Sequence, residues 1–235
     1  MSAIPGRERL IVALDVPSAA EARALVERLG PAASFYKLGL ELFVAAGYFE
    51  LVDWLVKRGN MVFADLKMYD IPETVGRAVA NLRGRGITFV TVHGNQGIME
   101  AAAKEKGDLK VLAITVLTSL DRGDLDDLGF SCDVERLVLS RARRALEAGC
   151  DGVVSSGLEA PRLKREFHDR LLVVTPGIRP VDNKPADDQK RTVDVAQAFA
   201  NGADYIVVGR PIRQAPDPRA AAEAIQKTIA TIFAA

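Results

Sequence analysis

Eight times along the chain a short, largely apolar run is followed by a segment of helical character, and this repeat restricts the fold more than any other feature. The runs are Leu10–Leu14, Ser34–Leu38, Met61–Lys67, Thr88–Val92, Lys110–Leu117, Gly152–Ser155, Leu171–Thr175 and Tyr205–Val208. They do not alternate apolar with polar, which is the pattern of parallel strands covered on both faces. Helices are expected over Ala19–Leu29 (capped by Ser18), through a region ending near Arg58-Gly59, and over Pro72–Arg83, Gln96–Lys106, Val134–Ala148, Glu159–Phe167, Val193–Ala200 and Pro218–Phe233. A weak echo precedes several strands: Arg58-Gly-Asn-Met-Val, Arg85-Gly-Ile-Thr-Phe-Val, Ala148-Gly-Cys-Asp-Gly-Val and Asn201-Gly-Ala-Asp-Tyr-Ile each put a glycine where a left-handed helix cap would sit. The spacing predicts an α/β fold, a (β/α)₈ TIM barrel, with a doubly wound open sheet as the alternative. No linker or low-complexity stretch interrupts the pattern, so residues 1–235 are read as one domain.

Bulk properties exclude several classes. Lys+Arg and Asp+Glu both total 31, which argues against a general nucleic-acid or membrane-surface binder. The two cysteines, Cys132 and Cys150, lie in no CxxC or Cys/His cluster, which argues against a disulfide framework and a structural zinc. Neither a signal-like core nor a run of membrane-spanning length is found, so the expectation is a soluble cytoplasmic protein.

A (β/α)₈ barrel builds its site at the C-terminal ends of the strands. That rule selects Asp15, Lys37, Asp65, Lys67, His93, Thr118, Ser155, Arg179 and Arg210. The densest cluster lies in Met61–Thr74: Asp65 and Lys67, two apart on a strand, point to one face, and Asp70 follows just before Pro72 opens a helix. Any one of these charges alone could be a structural salt bridge; an acid, a base and an acid together at a strand end favour chemistry. Thr175-Pro-Gly-Ile-Arg179 and Val208-Gly-Arg210 place a glycine and an arginine after the seventh and eighth strands, where barrels often bind phosphate. The plain alternative is a turn glycine beside a surface charge. Between them, residues 179–191 are almost devoid of apolar residues and carry two prolines, as expected of a loop that closes over a ligand or of a surface loop without function. His93 is left open between structure and catalysis, and Trp54 is read as packing.

These residues resemble the orotidine 5′-phosphate decarboxylase family, bacterial type, over nearly the whole chain. The motif DxKxxDIxxT stands as Asp65, Lys67, Asp70, Ile71 and Thr74. Leu14-Asp15, Tyr36-Lys-Leu-Gly39, Val116-Leu-Thr-Ser119, Thr175-Pro-Gly-Ile-Arg-Pro180, Asp187-Asp-Gln-Lys-Arg191 and Val208-Gly-Arg210 support it. The resemblance implies decarboxylation of orotidine 5′-phosphate to UMP in de novo pyrimidine synthesis, by a homodimer that uses no metal or organic cofactor. It implies that Lys37, Asp65 and Lys67 form a charged array completed by Asp70 of the other subunit, with Lys67 as proton donor to C6. Asp15 and Lys37 would hold the ribose, with Thr74 and Thr118 as further substrate contacts. Arg179, Gly209 and Arg210 would bind phosphate, and Gln189 would bridge phosphate and base. No base-contacting residue is assigned within Leu120-Asp-Arg-Gly-Asp124. The alternative is a metal-dependent sugar-phosphate decarboxylase or aldolase of the same barrel suprafamily, which shares DxKxxD.

Overall fold

The computed structural model describes residues 4–179 and 191–233. Eight strands, β1 (Leu10–Ala13), β2 (Phe35–Gly39), β3 (Met61–Met68), β4 (Phe89–His93), β5 (Lys110–Ile114), β6 (Gly152–Val154), β7 (Leu172–Thr175) and β8 (Tyr205–Val208), pair in chain order, and β8 closes on β1. Every pairing is parallel, as the largely apolar, non-alternating runs predict. The expected (β/α)₈ barrel is the observed one. Its helices are α1 (Ala19–Leu29), α2 (Leu40–Val44), α3 (Tyr48–Lys57), α4 (Pro72–Ala80), α5 (Gln96–Glu105), α6 (Arg122–Asp127), α7 (Val134–Glu147), α8 (Ala160–Phe167), α9 (Val195–Ala200), α10 (Arg210–Arg213) and α11 (Pro218–Phe233). Ser18 caps α1 as expected, accepting the Glu21 N–H at 3.2 Å.

Two apolar layers result from the strand period of two. Leu10, Val12, Leu38, Val62, Ala64, Val90 and Val92 face the helices, whereas Ile11, Phe35, Phe63, Phe89, Leu112, Leu172 and Tyr205 fill the barrel. Phe89 is the centre of this plug, its ring centroid 5.2 Å from Phe35, 5.8 Å from Phe63 and 5.1 Å from Tyr205. On β2, β3 and β4 the next inward position is polar: Lys37 follows Phe35, Asp65 follows Phe63 and Thr91 follows Phe89. The aromatic floor thus seats the polar groups one pleat nearer the C-terminal mouth.

Several boundaries differ from expectation. The second helical region is split in two, with Gly47 (φ 86°) turning the chain between α2 and α3. β5 stops at Ile114, because the carbonyls that follow are taken by guanidinium groups: Arg141 on Thr115, Arg191 on Val116 and Leu117. α4 ends at Ala80. The irregular stretch after β5 holds the short α6, begun by a reciprocal capping box between Asp121 and Asp124.

Candidate active site

Asp65 is the hub of the mouth. Its Oδ2 lies 2.7 Å from Lys67 Nζ and 3.4 Å from Lys37 Nζ, and its Oδ1 accepts the Thr91 hydroxyl at 2.9 Å. Lys37 Nζ also reaches Asp15 Oδ1 at 3.0 Å, so strands β1 to β4 all feed one alternating array. Burial works against the Asp65 carboxylate, yet Lys37, Lys67 and the hydrogen bonds from Lys67 and Thr91 outweigh it and hold its pKa below the ordinary carboxylate range. Burial also works against the Lys37 ammonium, and Asp65 and Asp15 outweigh it, raising its pKa above the usual lysine value. Both groups are therefore ionised at neutral pH. The array is close: a Cβ added at Gly39 would stand 3.2 Å from Lys37 Nζ, which is tight for any side chain.

Lys67 is held in an unusual backbone state. Its φ is 47°, in the left-handed region that non-glycine residues occupy at a cost of about 1–3 kcal/mol. The β3–β4 register shifts at this point, since β3 advances from Ala64 to Met68 while β4 advances only from Val90 to Val92. Asp65 and Lys67 nevertheless share the cavity, as the two-residue spacing predicts.

The cavity has a volume of about 420 Å³, within the range that holds a small ligand. Asp15, Lys37, Asp65 and Lys67 line it from the ends of β1 to β3, Arg179, Gly209, Arg210 and Arg213 line it after β7 and β8, and Thr118 follows β5. Phe63, Ile114, Val154 and Val207 supply an apolar base. Strands β1 to β3 thus bring anionic and cationic groups to the cavity, and the chain after β7 and β8 brings three arginines. A ligand with a reactive charged centre and a remote anionic group matches that division.

Some expected residues are not brought to the cavity. Asp70 is exposed and accepts its neighbour Ile71's N–H at 2.6 Å, and neither it nor Thr74 lines the cavity of its own chain. Gln189 and residues 180–190 of the expected 179–191 loop lie outside the described residues. Ser155 is buried behind the mouth, 3.5 Å from Glu159. His93 stacks on Tyr69 with ring centroids 4.6 Å apart, and burial first, then Arg141 and Lys67, holds its pKa below the usual value, leaving it neutral.

Two features were not foreseen. Thr91 bonds both Asp65 and the Lys67 backbone; its only sequence signal is a lone hydroxyl at an inward position of an apolar strand. Arg191 and Glu159 form a buried ion pair at 2.7 Å, and the same guanidinium holds the Val116 and Leu117 carbonyls just before Thr118.

Comparison with known proteins gives a consistent picture. Residues 8–225 match the family described as orotidine 5′-phosphate decarboxylase / HUMPS. A relative from Methylococcus capsulatus, named orotidine 5′-phosphate decarboxylase, is 66% identical over 232 residues, spanning 99% of this chain and 96% of its own. One of the same name from Nitrobacter winogradskyi is 50% identical over 226 residues, covering 95% and 93%. The crystal structure of orotidine 5′-phosphate decarboxylase from Lactobacillus acidophilus superposes with a TM-score of 0.83 at 36% identity, covering 94% of this chain and 99% of that one. The likeness extends over the barrel and every strand end that builds the mouth, and the chain belongs to the orotidine 5′-phosphate decarboxylase / HUMPS family.

Proposed function

We propose that this protein decarboxylates orotidine 5′-phosphate to UMP and CO₂, the closing step of de novo UMP synthesis, with Lys67 delivering a proton to C6. The observation that carries the reading is the Lys37–Asp65–Lys67 array in a cavity that Arg179 and Arg210 also line. Loss of CO₂ leaves an sp² carbanion at C6 that the ring cannot delocalise, so the barrier must fall by charges already in place. The Lys67 ammonium, fixed by Asp65, opposes that developing charge and then protonates it. Asp15 and Lys37 hold the ribose hydroxyls, and Thr118 borders the nucleotide. Arg179, Gly209 and Arg210 take the phosphate, whose binding energy is remote from C6 and can be used to organise the site.

Both carboxylate oxygens of Asp65 are already engaged, Oδ2 by two ammonium groups and Oδ1 by Thr91. That arrangement suits direct electrostatic catalysis better than the metal-assisted enediolate chemistry of the alternative reading. The test is loss of the orotate absorbance of orotidine 5′-phosphate with purified protein in EDTA. Turnover undiminished by the chelator supports the reading; turnover only with added Mg²⁺ overturns it.

The proposed working unit is a homodimer in which Asp70 serves the partner's cavity. Asp70 is exposed at the mouth, flanked by Tyr69 and Ile71 at 67% and 65% exposure, with Leu40, Phe43 and Val44 of α2 also exposed. Apolar side chains concentrated beside a charged strand end fit a covered surface. Mixing Lys67→Ala with Asp70→Ala protein should restore activity through hybrid dimers carrying one intact site, and no recovery despite proven subunit exchange would overturn the shared site. The two cysteines are free, and among the described residues no helix is long and apolar enough to cross a membrane; a cytoplasmic location is proposed on that basis.

A further inference from the structure

Thr91 is fully buried in the middle of β4, and its hydroxyl has two partners, both in the charged array. Because β3 bulges between Ala64 and Met68, the Lys67 N–H leaves the regular ladder and is given to Thr91 Oγ1 at 2.9 Å. A hydroxyl has one proton to donate. Having accepted from Lys67, Thr91 turns that proton to Asp65 Oδ1, also at 2.9 Å. Oδ2 is thereby left facing Lys67 Nζ at 2.7 Å and Lys37 Nζ at 3.4 Å.

We propose that Thr91 is a positioning residue for the decarboxylation: one hydroxyl clamps the left-handed backbone of Lys67 and fixes the rotation of the Asp65 carboxylate that aims its ammonium. The inference deepens the decarboxylase reading and rests on it. Without the hydroxyl, the carboxylate can turn about its Cβ–Cγ bond and the Lys67 backbone loses the acceptor that holds its strained φ. Both changes move Nζ relative to C6, and a displacement of about 1 Å at a reacting group can cost about 10²-fold in rate.

The experiment compares the parent with Thr91→Val, which keeps the volume and loses the hydroxyl, and Thr91→Ser, which keeps the hydroxyl and loses the methyl. Thr91→Val is expected to lose about 10²-fold in kcat, with KM and UMP affinity changed by less than about threefold. Thr91→Ser is expected to stay within about threefold of the parent in all of these. The pH profile supplies a readout that packing alone would not move. Asp65 is faced by Lys37 from β2, Lys67 from β3, Thr91 from β4 and Tyr48 from α3, with Asp15 reached through Lys37 and His93 facing Lys67. Removing one donor to the carboxylate favours its protonated form, so the acid limb of kcat should move to higher pH in Thr91→Val and not in Thr91→Ser.

Equal kcat for Thr91→Val and the parent overturns the proposal, as does a Thr91→Ser loss as large as that of Thr91→Val. Thr91→Ala serves as a second hydroxyl-free variant, and if neither it nor Thr91→Val folds, the hydroxyl is a stability element and the proposal fails. A parent protein that leaves orotidine 5′-phosphate intact would overturn the decarboxylase reading itself, whereas an active parent with an equally active Thr91→Val overturns the inference alone.

Discussion

Truncating Lys67 to alanine tests the proposed chemistry while leaving the frame of the site standing. The Lys67 N–H that Thr91 accepts at 2.9 Å belongs to the backbone and survives the substitution. Asp65 keeps the Thr91 hydroxyl at 2.9 Å and Lys37 at 3.4 Å, so no buried charge is stranded. At 2.7 Å the lost Lys67–Asp65 attraction is on the order of 6 kcal/mol with an effective dielectric of about 20. Desolvation cancels most of that, and a net cost of about 1–2 kcal/mol to folding is expected. The catalytic loss is far larger. A positioned general acid contributes about 10²–10⁴-fold and a preorganised charge about 10²–10³-fold, so kcat should fall about 10⁴–10⁷-fold. That is about 5–10 kcal/mol in the barrier, several times the expected folding cost. The assay pairs loss of the orotate absorbance with calorimetric UMP binding and a urea titration. A variant that binds UMP, unfolds near the parent's midpoint and turns over within about tenfold of the parent would refute Lys67 as the proton donor.

Arg210→Ala should lower kcat/KM for orotidine 5′-phosphate by about 10²-fold and leave the slow reaction of unphosphorylated orotidine unchanged, because a charged hydrogen bond to phosphate is lost in one case only. Equal losses for both compounds would remove Arg210 from the proposed phosphate site. Asp65→Asn should destabilise the fold by about 3 kcal/mol at neutral pH, since it leaves Lys37 and Lys67 facing one another without their shared acid. The folded pKa of Asp65 is depressed, so its contribution is complete above the unfolded value of about 3.9 and is lost as pH falls through the lower folded value. Urea midpoints of the parent and Asp65→Asn should therefore converge below pH 4, and a constant gap down to pH 2 would contradict the assignment.

The barrel was legible because its strands are buried on both faces and their apolar runs end abruptly in charge, as Leu14-Asp15 and Phe63-Ala-Asp65 do. The partnership of Asp65 and Lys67 was legible for a similar reason, since a strand returns to the same face every second residue. What the residue pattern hid depends on contacts between distant segments. Threonine suits any strand, so Phe89-Val-Thr-Val-His93 gives no sign that Thr91 holds Asp65 and Lys67 from across the ladder. The left-handed φ of Lys67 carries no glycine to announce it. Arg191 and Glu159 are 32 residues apart and meet only because β5, β6 and the chain entering α9 converge. Gly47 carries a local signal of its own, since a glycine can turn the chain, and the helical region ending near Arg58-Gly59 divides there.

Two lysines stand on either side of Asp65, and their surroundings explain why the proposed proton donor is Lys67 rather than Lys37. Lys37 Nζ is shared between Asp15 at 3.0 Å and Asp65 at 3.4 Å, its side chain is only 12% exposed, and its pKa is raised. An ammonium so engaged resists giving up its proton and is suited to holding charge and hydroxyl groups in place. Among the described residues, Lys67 Nζ has one acid at hydrogen-bond distance, Asp65 at 2.7 Å, and its side chain, 31% exposed, lines the cavity. An ammonium carries three N–H donors, so one bond to Asp65 leaves two for other work. One can be directed to C6 and the other to an acid arriving from outside the chain, which is the part proposed for the partner's Asp70. The geometry thus makes the two lysines unequal even though both touch the same oxygen. Lys37 is buttressed on both sides and keeps its proton, whereas Lys67 is aimed by one carboxylate and retains the bonding capacity that the proposed delivery to C6 requires.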